Sequence, residues 1–160
     1  MIESEFLEEN RRIINDLRKI PCLTPFEDED LASLLKISKI QKYRNGEVII
    51  QEGSYDTYIY FLIYGVVKVS KKGKTLDVLK RRGDVFGEMS VMDVSARSAS
   101  CVATADTVCL ASDTSNIEQL SGKEKMAFSY VLYRVFAEAM AERLKLANQK
   151  LMQGADWKVW

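Results

Sequence analysis

From Ile37 onward the chain is cut at short, regular intervals by residues that turn a backbone. Turn signals fall at Asn45-Gly46, Gly53, Gly65, Gly73 and Gly83, with runs rich in Val, Ile, Tyr and Phe between them. Punctuation at roughly 8 to 12 residues predicts an all-β sandwich or barrel. No helix of ten residues fits between the runs, which argues against a parallel sheet with helical crossovers. Asn45-Gly46 and Lys72-Gly73 read as hairpin turns, because glycine accepts the positive φ such turns need. The strands expected are "TYIYFLIYG", "VVKVS", "TLDVLK", "SCVAT" and "TVCLA".

Both flanks carry a different period. Phe6, Ile13, Leu17 and Ile20 recur at helical spacing until Pro21, and "PCLTPF" reads as a turn. "DEDLASLLKI" follows, with acids suited to a helix N-terminus and Leu31, Leu34 and Leu35 on one side. After Ser112, "SNIE" and "SGKE" each fit a capping box, pairing Ser115 with Glu118 and Ser121 with Glu124. The second box opens a helix expected to run about 29 residues to Met152, roughly 43 Å long. Its apolar face is broad over Phe128, Val131, Leu132, Val135 and Phe136, then narrows to Met140, Leu144, Ala147 and Leu151. So long a helix outreaches a small barrel, and a second copy of itself is the simplest partner for its far half. Folding back over its own barrel is the alternative. Gly154 reads as a helix stop, and no function is assigned to Trp157 and Trp160. The expected organisation is one domain: helices over 1–36, a β-barrel over 37–112, and a hinge with a long helix over 113–152.

Composition narrows the chemistry. Histidine is absent. That disfavours His-ligated metals, haem with a proximal His, and Ser-His or Cys-His couples. Cys22, Cys101 and Cys109 lack metal-ligand spacing, and the last two read as small buried hydrophobes. Lys plus Arg and Asp plus Glu balance at 23 each, so no net field draws nucleic acid. The N-terminus has no apolar signal core and no run approaches about 18 apolar residues. With no histidine, most hydrolytic and metal-dependent chemistry is disfavoured, and a cytoplasmic protein with no metal, no direct nucleic-acid contact and no membrane contact is the expectation.

One stretch is out of keeping with a β core. "GDVFGEMSVMDVSARSAS", residues 83–100, sets Glu88 and Arg97 among small residues between buried strands. Either the two neutralise each other or a polar molecule sits between them. Gly87 lets backbone approach such a molecule, "EMSVM" is long enough for one helical turn with free N–H groups, and arginine offers a planar fork of donors to a compact anion.

Together with "NGEVIIQEGSYDTYIYFLIYGVVKV", this stretch resembles the cyclic nucleotide-binding domain family, over roughly residues 20–152. The ordered glycines at 46, 53, 65, 83 and 87, then Glu88 and Arg97, carry the resemblance. It implies a β jelly-roll barrel in which residues 83–100 are a phosphate-binding cassette. Glu88 would accept from the ribose 2′-hydroxyl, and Arg97 would pair with the cyclic phosphate. Gly87, Met89, Ser90, Ser98 and Ala99 would complete the site, and Asn148 on the long helix would approach the base. Ala96 stands where many members have proline, and Ser90 where alanine is frequent. Ser98 after the arginine is compatible with cAMP, which leads, and cGMP stays open. Only eight residues follow Met152, too few for the DNA reader found in the family's transcription factors. The expectation is a regulatory sensor, dimeric through its long helix, acting on an unidentified protein partner. A cupin-like enzyme lacks its histidines here, and an interaction domain with a vestigial pocket is the remaining alternative.

Overall fold

A computed structural model describes residues 11–20, 23–24, 26–88 and 95–154, with residues 118 and 119 described in backbone only. The Pro21 stop, Cys22, Pro25, Met89, Ser90 and the Trp157 and Trp160 tail lie outside the described residues.

Residues 11–18 form helix α1, and Leu17 and Ile20 at its end are buried. Helix α2, Asp28–Lys36, starts where the Asp30 carboxylate accepts the Glu27 N–H at 3.2 Å, with three acids in its first turn. It buries Leu31 and Leu34.

Eight strands follow: β1 Ser38–Tyr43, β2 Val48–Ile50, β3 Tyr58–Tyr64, β4 Val67–Lys71, β5 Lys74–Leu79, β6 Val85–Phe86, β7 Ser100–Ala103 and β8 Thr107–Asp113. They make two antiparallel four-stranded sheets, ordered β1-β8-β3-β6 and β2-β7-β4-β5. The result is jelly-roll-like, but two facing sheets replace the closed barrel expected. The first sheet is covered on both faces, which is why β3 reads YIYFLIY without polar alternation. Ile59 and Phe61 face a core shared with α1, α2 and the C-terminal helix. Tyr60 and Leu62 face a second core between the sheets, with Ile50, Val67, Phe86, Cys101 and Cys109.

The two turn signals have different outcomes. Lys72 and Gly73, at φ 49° and 79°, close a two-residue hairpin with Lys71 opposite Lys74. Asn45-Gly46 makes no hairpin, because β1 pairs with β8 and β2 with β7. There the chain steps from one sheet to the other, and the Gly46 N–H is taken by Ala103 O at 2.7 Å.

After β8 the first expected capping box is replaced. Asp113 is the cap of a 3-10 segment, Thr114–Gln119, and accepts from the Ser115 N–H at 3.0 Å. The Glu118 side chain lies outside the description. The second start matches: Ser121 Oγ accepts the Glu124 N–H at 3.3 Å, and helix α3 runs Gly122–Gly154. Its 33 residues span about 50 Å. Phe128, Val131, Leu132, Val135 and Phe136 are buried as expected. Its far half stays along its own sandwich, held by polar contacts: Arg81 to Glu142 at 2.6 Å and Lys150 to the Leu76 carbonyl at 3.5 Å. Among the described residues no helix is long and apolar enough to cross a membrane.

Candidate functional site

Strand β6 delivers the chain into the site. Phe86 is buried and stacks on Tyr60, with ring centroids 5.1 Å apart and planes 9° from parallel. Gly87 follows at φ 82°, and Glu88 already has helical backbone. A Cβ on Gly87 would lie 2.7 Å from Arg97 Nη1, so glycine is what allows the arginine to lie against this backbone.

Arg97 is 3% exposed and held on all sides. Its Nε donates to Asp56 Oδ2 at 3.1 Å and its Nη2 donates to Asp56 Oδ1. Nη2 also donates to the Tyr58 carbonyl and Nη1 to the Gly87 carbonyl. The backbone is clamped as well: Arg97 N–H donates to Ser54 O, and Gly53 N–H to Arg97 O, both at 2.8 Å. The Ser100 hydroxyl, accepting the Glu52 N–H at 2.9 Å, ties the same loop down.

Glu88 is 1% exposed and does not meet Arg97. Its Oε1 forms an ion pair with Arg143 of α3. Arg143 Nη2 donates to the Val85 carbonyl. Burial pulls the Arg143 guanidinium below its ordinary value, and the charges of Asp77 and Asp84 push back. The simple Arg97–Glu88 bridge is therefore replaced by two separate pairs, Arg97 with Asp56 and Glu88 with Arg143.

Between these pairs lies a cavity of about 220 Å³. Ile50, Val69, Leu79 and Phe86 give it apolar walls, and Gly87, Glu88, Arg97, Ser98 and Ala99 all line it. Cys101 lines it too, its thiol pushed up to about 12 by burial against the opposing charge of Arg97. Asn148 is half-buried and does not line this cavity. Met89 and Ser90 lie outside the described residues. Two members escaped the sequence reading. Asp56 sits 41 positions before its partner, and nothing in local spacing links them. Arg143 left a trace: with Val135 and Ala139 it continues the buried face of α3, a charge on an apolar stripe.

A buried guanidinium and a buried carboxylate on one apolar cavity suit a molecule carrying a compact anion and a hydroxyl. The sequence profile of the cyclic nucleotide-binding domain matches residues 40–124. The chain belongs to the cyclic nucleotide-binding domain family. It is 27% identical over 142 residues to a cGMP-dependent protein kinase of Toxoplasma gondii, covering 88% of this chain and 14% of the kinase. It is 34% identical over 127 residues to a cAMP-dependent protein kinase regulatory subunit of Colletotrichum orbiculare, covering 76% of this chain and 31% of the subunit. A solved cyclic nucleotide-binding domain from Methylobacillus flagellatus shares the fold at TM-score 0.77 and 21% identity, over 96% of this chain and 88% of that one. The chain thus spans less than a third of either kinase relative, and what those whole proteins do is not carried by the match.

Proposed function

We propose that this domain binds a cyclic nucleotide, cAMP first, between Glu88 and Arg97 and passes the binding to helix α3 as a regulatory signal rather than catalysing a reaction. The observation that carries this is the shared cavity: residues 87, 88 and 97–99 all line one space. A cyclic phosphate is a monoanion that meets Arg97, and the ribose hydroxyl is the donor Glu88 needs. Arg97 is bound to Asp56 and backbone carbonyls, so its position is set before any ligand arrives. Arg97→Ala is expected to weaken binding by about 2–5 kcal/mol, because a buried phosphate loses its charged partner. Calorimetry with cAMP and cGMP tests this. Unchanged affinity in the variant removes the assignment, and no binding of either nucleotide to the parent chain favours a vestigial pocket.

A specific observation supports cGMP as the second reading. Asp77 lines the same cavity and is an acceptor-only group. Guanine offers such a carboxylate two neighbouring donors, where adenine offers its single amino group.

We also propose that two copies pair through α3. Met126, Tyr130, Tyr133, Ala137, Met140 and Leu144 alternate at spacings of four and three, all on exposed positions. That is a coiled-coil seam, and it lies on the face of α3 opposite Phe128 and Val135. A downstream protein partner completes the reading, and a cytoplasmic location fits the free cysteines Cys101 and Cys109.

A further inference from the structure

The balance of charge over the whole chain conceals a local excess. Seven of its 23 cations and one of its 23 acids fall in residues 66–82, so this stretch is net +6 and the rest of the chain net −6. Strands β4 and β5 lie here, joined by the Lys72-Gly73 hairpin. Lys71, Lys72, Lys74 and Lys80 are exposed and Lys68 is half-buried, and none of the five makes an ion pair among the described residues. Arg81 differs, because Asp84 and Glu142 hold it. The sheet that carries these lysines has one open face. The first sheet borders both cores, but the second borders only the core between the sheets, through Ile50, Val67, Leu79 and Cys101. Cross-strand partners share a face, and pairing fixes what points outward: Val48 lies opposite Val102, Val102 opposite Lys68, and Lys68 opposite Val78. A solvent face of an antiparallel sheet is normally polar. Here Val48 and Val78 stand in that row 51% and 46% exposed. The hairpin tip is open as well, since a Cβ on Gly73 would meet nothing within 4 Å.

We propose that this outward face, led by the β4–β5 hairpin, docks on an anionic lipid surface. All five cations are lysines, compact point charges on flexible stems that need no fixed partner geometry. That suits a field of mobile headgroups, where each lysine near the surface is worth about fivefold in partition. The valines between them add apolar contact at headgroup level. A protein partner is served less well, because lysine is depleted from protein interfaces while arginine and aromatic residues are enriched. A nucleic acid is also served less well. β2, β4, β5 and β7 contain no aromatic residue to stack on a base and no arginine fork to read one. The anionic leaflet of a cell membrane is the cytoplasmic one, in keeping with the location proposed above. Docking is peripheral, since no described helix is long and apolar enough to cross a membrane. It uses no residue that lines the nucleotide cavity, so it stands apart from the nucleotide reading.

The test is co-sedimentation of the chain with vesicles, without nucleotide. One set is phosphatidylcholine alone and the other an equal mixture of phosphatidylcholine and phosphatidylserine. Each is run at about 0.1 M and about 1 M salt, where the screening length falls from about 10 Å to about 3 Å. The parent is expected to bind the mixed vesicles at the lower salt only, and phosphatidylcholine at neither. Lys71→Gln with Lys74→Gln is expected to lose about 25-fold. Lys42→Gln with Lys123→Gln removes the same charge from exposed positions elsewhere and is expected to lose about twofold or less. Lys68→Gln with Lys80→Gln covers the case in which the hairpin variant does not fold, and is expected to weaken binding likewise. Failure of the parent to bind mixed vesicles at the lower salt overturns the proposal. So does an equal loss in the Lys42 and Lys123 variant, which would make the attraction one of overall charge. Poly-glutamate and a DNA duplex are titrated alongside at equal anion concentration. Weaker binding to both supports lipid, and tighter binding to either, lost in the same hairpin variant, overturns it. Calorimetry is expected to show unchanged nucleotide affinity in the lysine variants, so failure of either reading leaves the other intact.

Discussion

Replacing Gly87 with alanine perturbs the site at its narrowest point, and a second glycine serves as its control. Gly87 and Gly46 both sit at positive φ, 82° and 91°. Any L-residue there bears about 1–2 kcal/mol of left-handed strain. A Cβ on Gly46 meets nothing within 4 Å, so Gly46→Ala is expected to cost that strain alone. A Cβ on Gly87 would lie 2.7 Å from Arg97 Nη1, 3.1 Å from Ile50 Cδ1 and 3.3 Å from Tyr58 O. Arg97 cannot yield cheaply, because four of its donor contacts are fixed to Asp56, Tyr58 and Gly87. Moving it forfeits at least the bond to the Gly87 carbonyl, about 1.5–3 kcal/mol for a charged donor. Gly87→Ala is therefore expected to lose about 2.5–5 kcal/mol in all, roughly 1.5–3 kcal/mol beyond the control. Urea unfolding at matched m-values measures the difference directly. Calorimetry should show lost nucleotide affinity in Gly87→Ala alone. If the two variants unfold at the same midpoint and both bind as the parent does, Gly87 is an ordinary turn glycine and the contact argument is wrong.

Two further outcomes follow from the structure. Burial pushes Cys101, Cys109 and Tyr43 up to about 12, and Tyr60 higher still; the unfolded chain releases these protons from about pH 9–10 while the folded chain retains them, so stability should fall as pH rises from about 9 to 12, by about 1.4 kcal/mol per pH unit for each group titrating in the unfolded chain only. Urea midpoints that stay level between pH 8 and 11 would contradict this. Met140→Glu combined with Leu144→Glu puts like charges on two exposed positions of the proposed seam, and sedimentation should show a dimer for the parent and a monomer for the variant with an intact domain melt; a monomeric parent at every concentration refutes the seam.

What the sequence disclosed and what it hid divide along physical lines. β3 and β8 were readable because burial on both faces leaves continuous apolar runs, and Lys72-Gly73 because its hairpin is local. Asn45-Gly46 misled because its turn chemistry is the same whether the next strand pairs back or crosses to another sheet, and only β7 and β8 decide that. The far half of α3 hid its inward contacts for a related reason. Its inward contacts are polar and single, through Glu142, Arg143 and Lys150, and periodicity of apolar residues does not register them. Glu88 and Arg97 stood out because small residues surround them. Asp56 and Arg143 did not, since each acts on a partner brought near only by the finished fold.

The two ion pairs differ in where their outer members are anchored, and that difference bears on the proposed relay. Asp56 lies in the loop clamped to the Arg97 backbone at Gly53 and Ser54, so the guanidinium and its carboxylate belong to one rigid unit. An anion arriving at Arg97 finds the one guanidinium N–H that these contacts leave, on Nη1, already fixed in orientation. Arg143 belongs to α3, whose far half is joined to the sandwich by a few exposed or half-exposed polar contacts worth little individually. Glu88 is therefore tied to a separate element, α3, whereas Arg97 is tied within its own loop. On the proposed reading, a ligand that engaged only Arg97 would leave α3 untouched. One that also reaches Glu88 meets the arginine that ties α3 to the cassette, so the relay proposed above starts at the carboxylate end of the pocket.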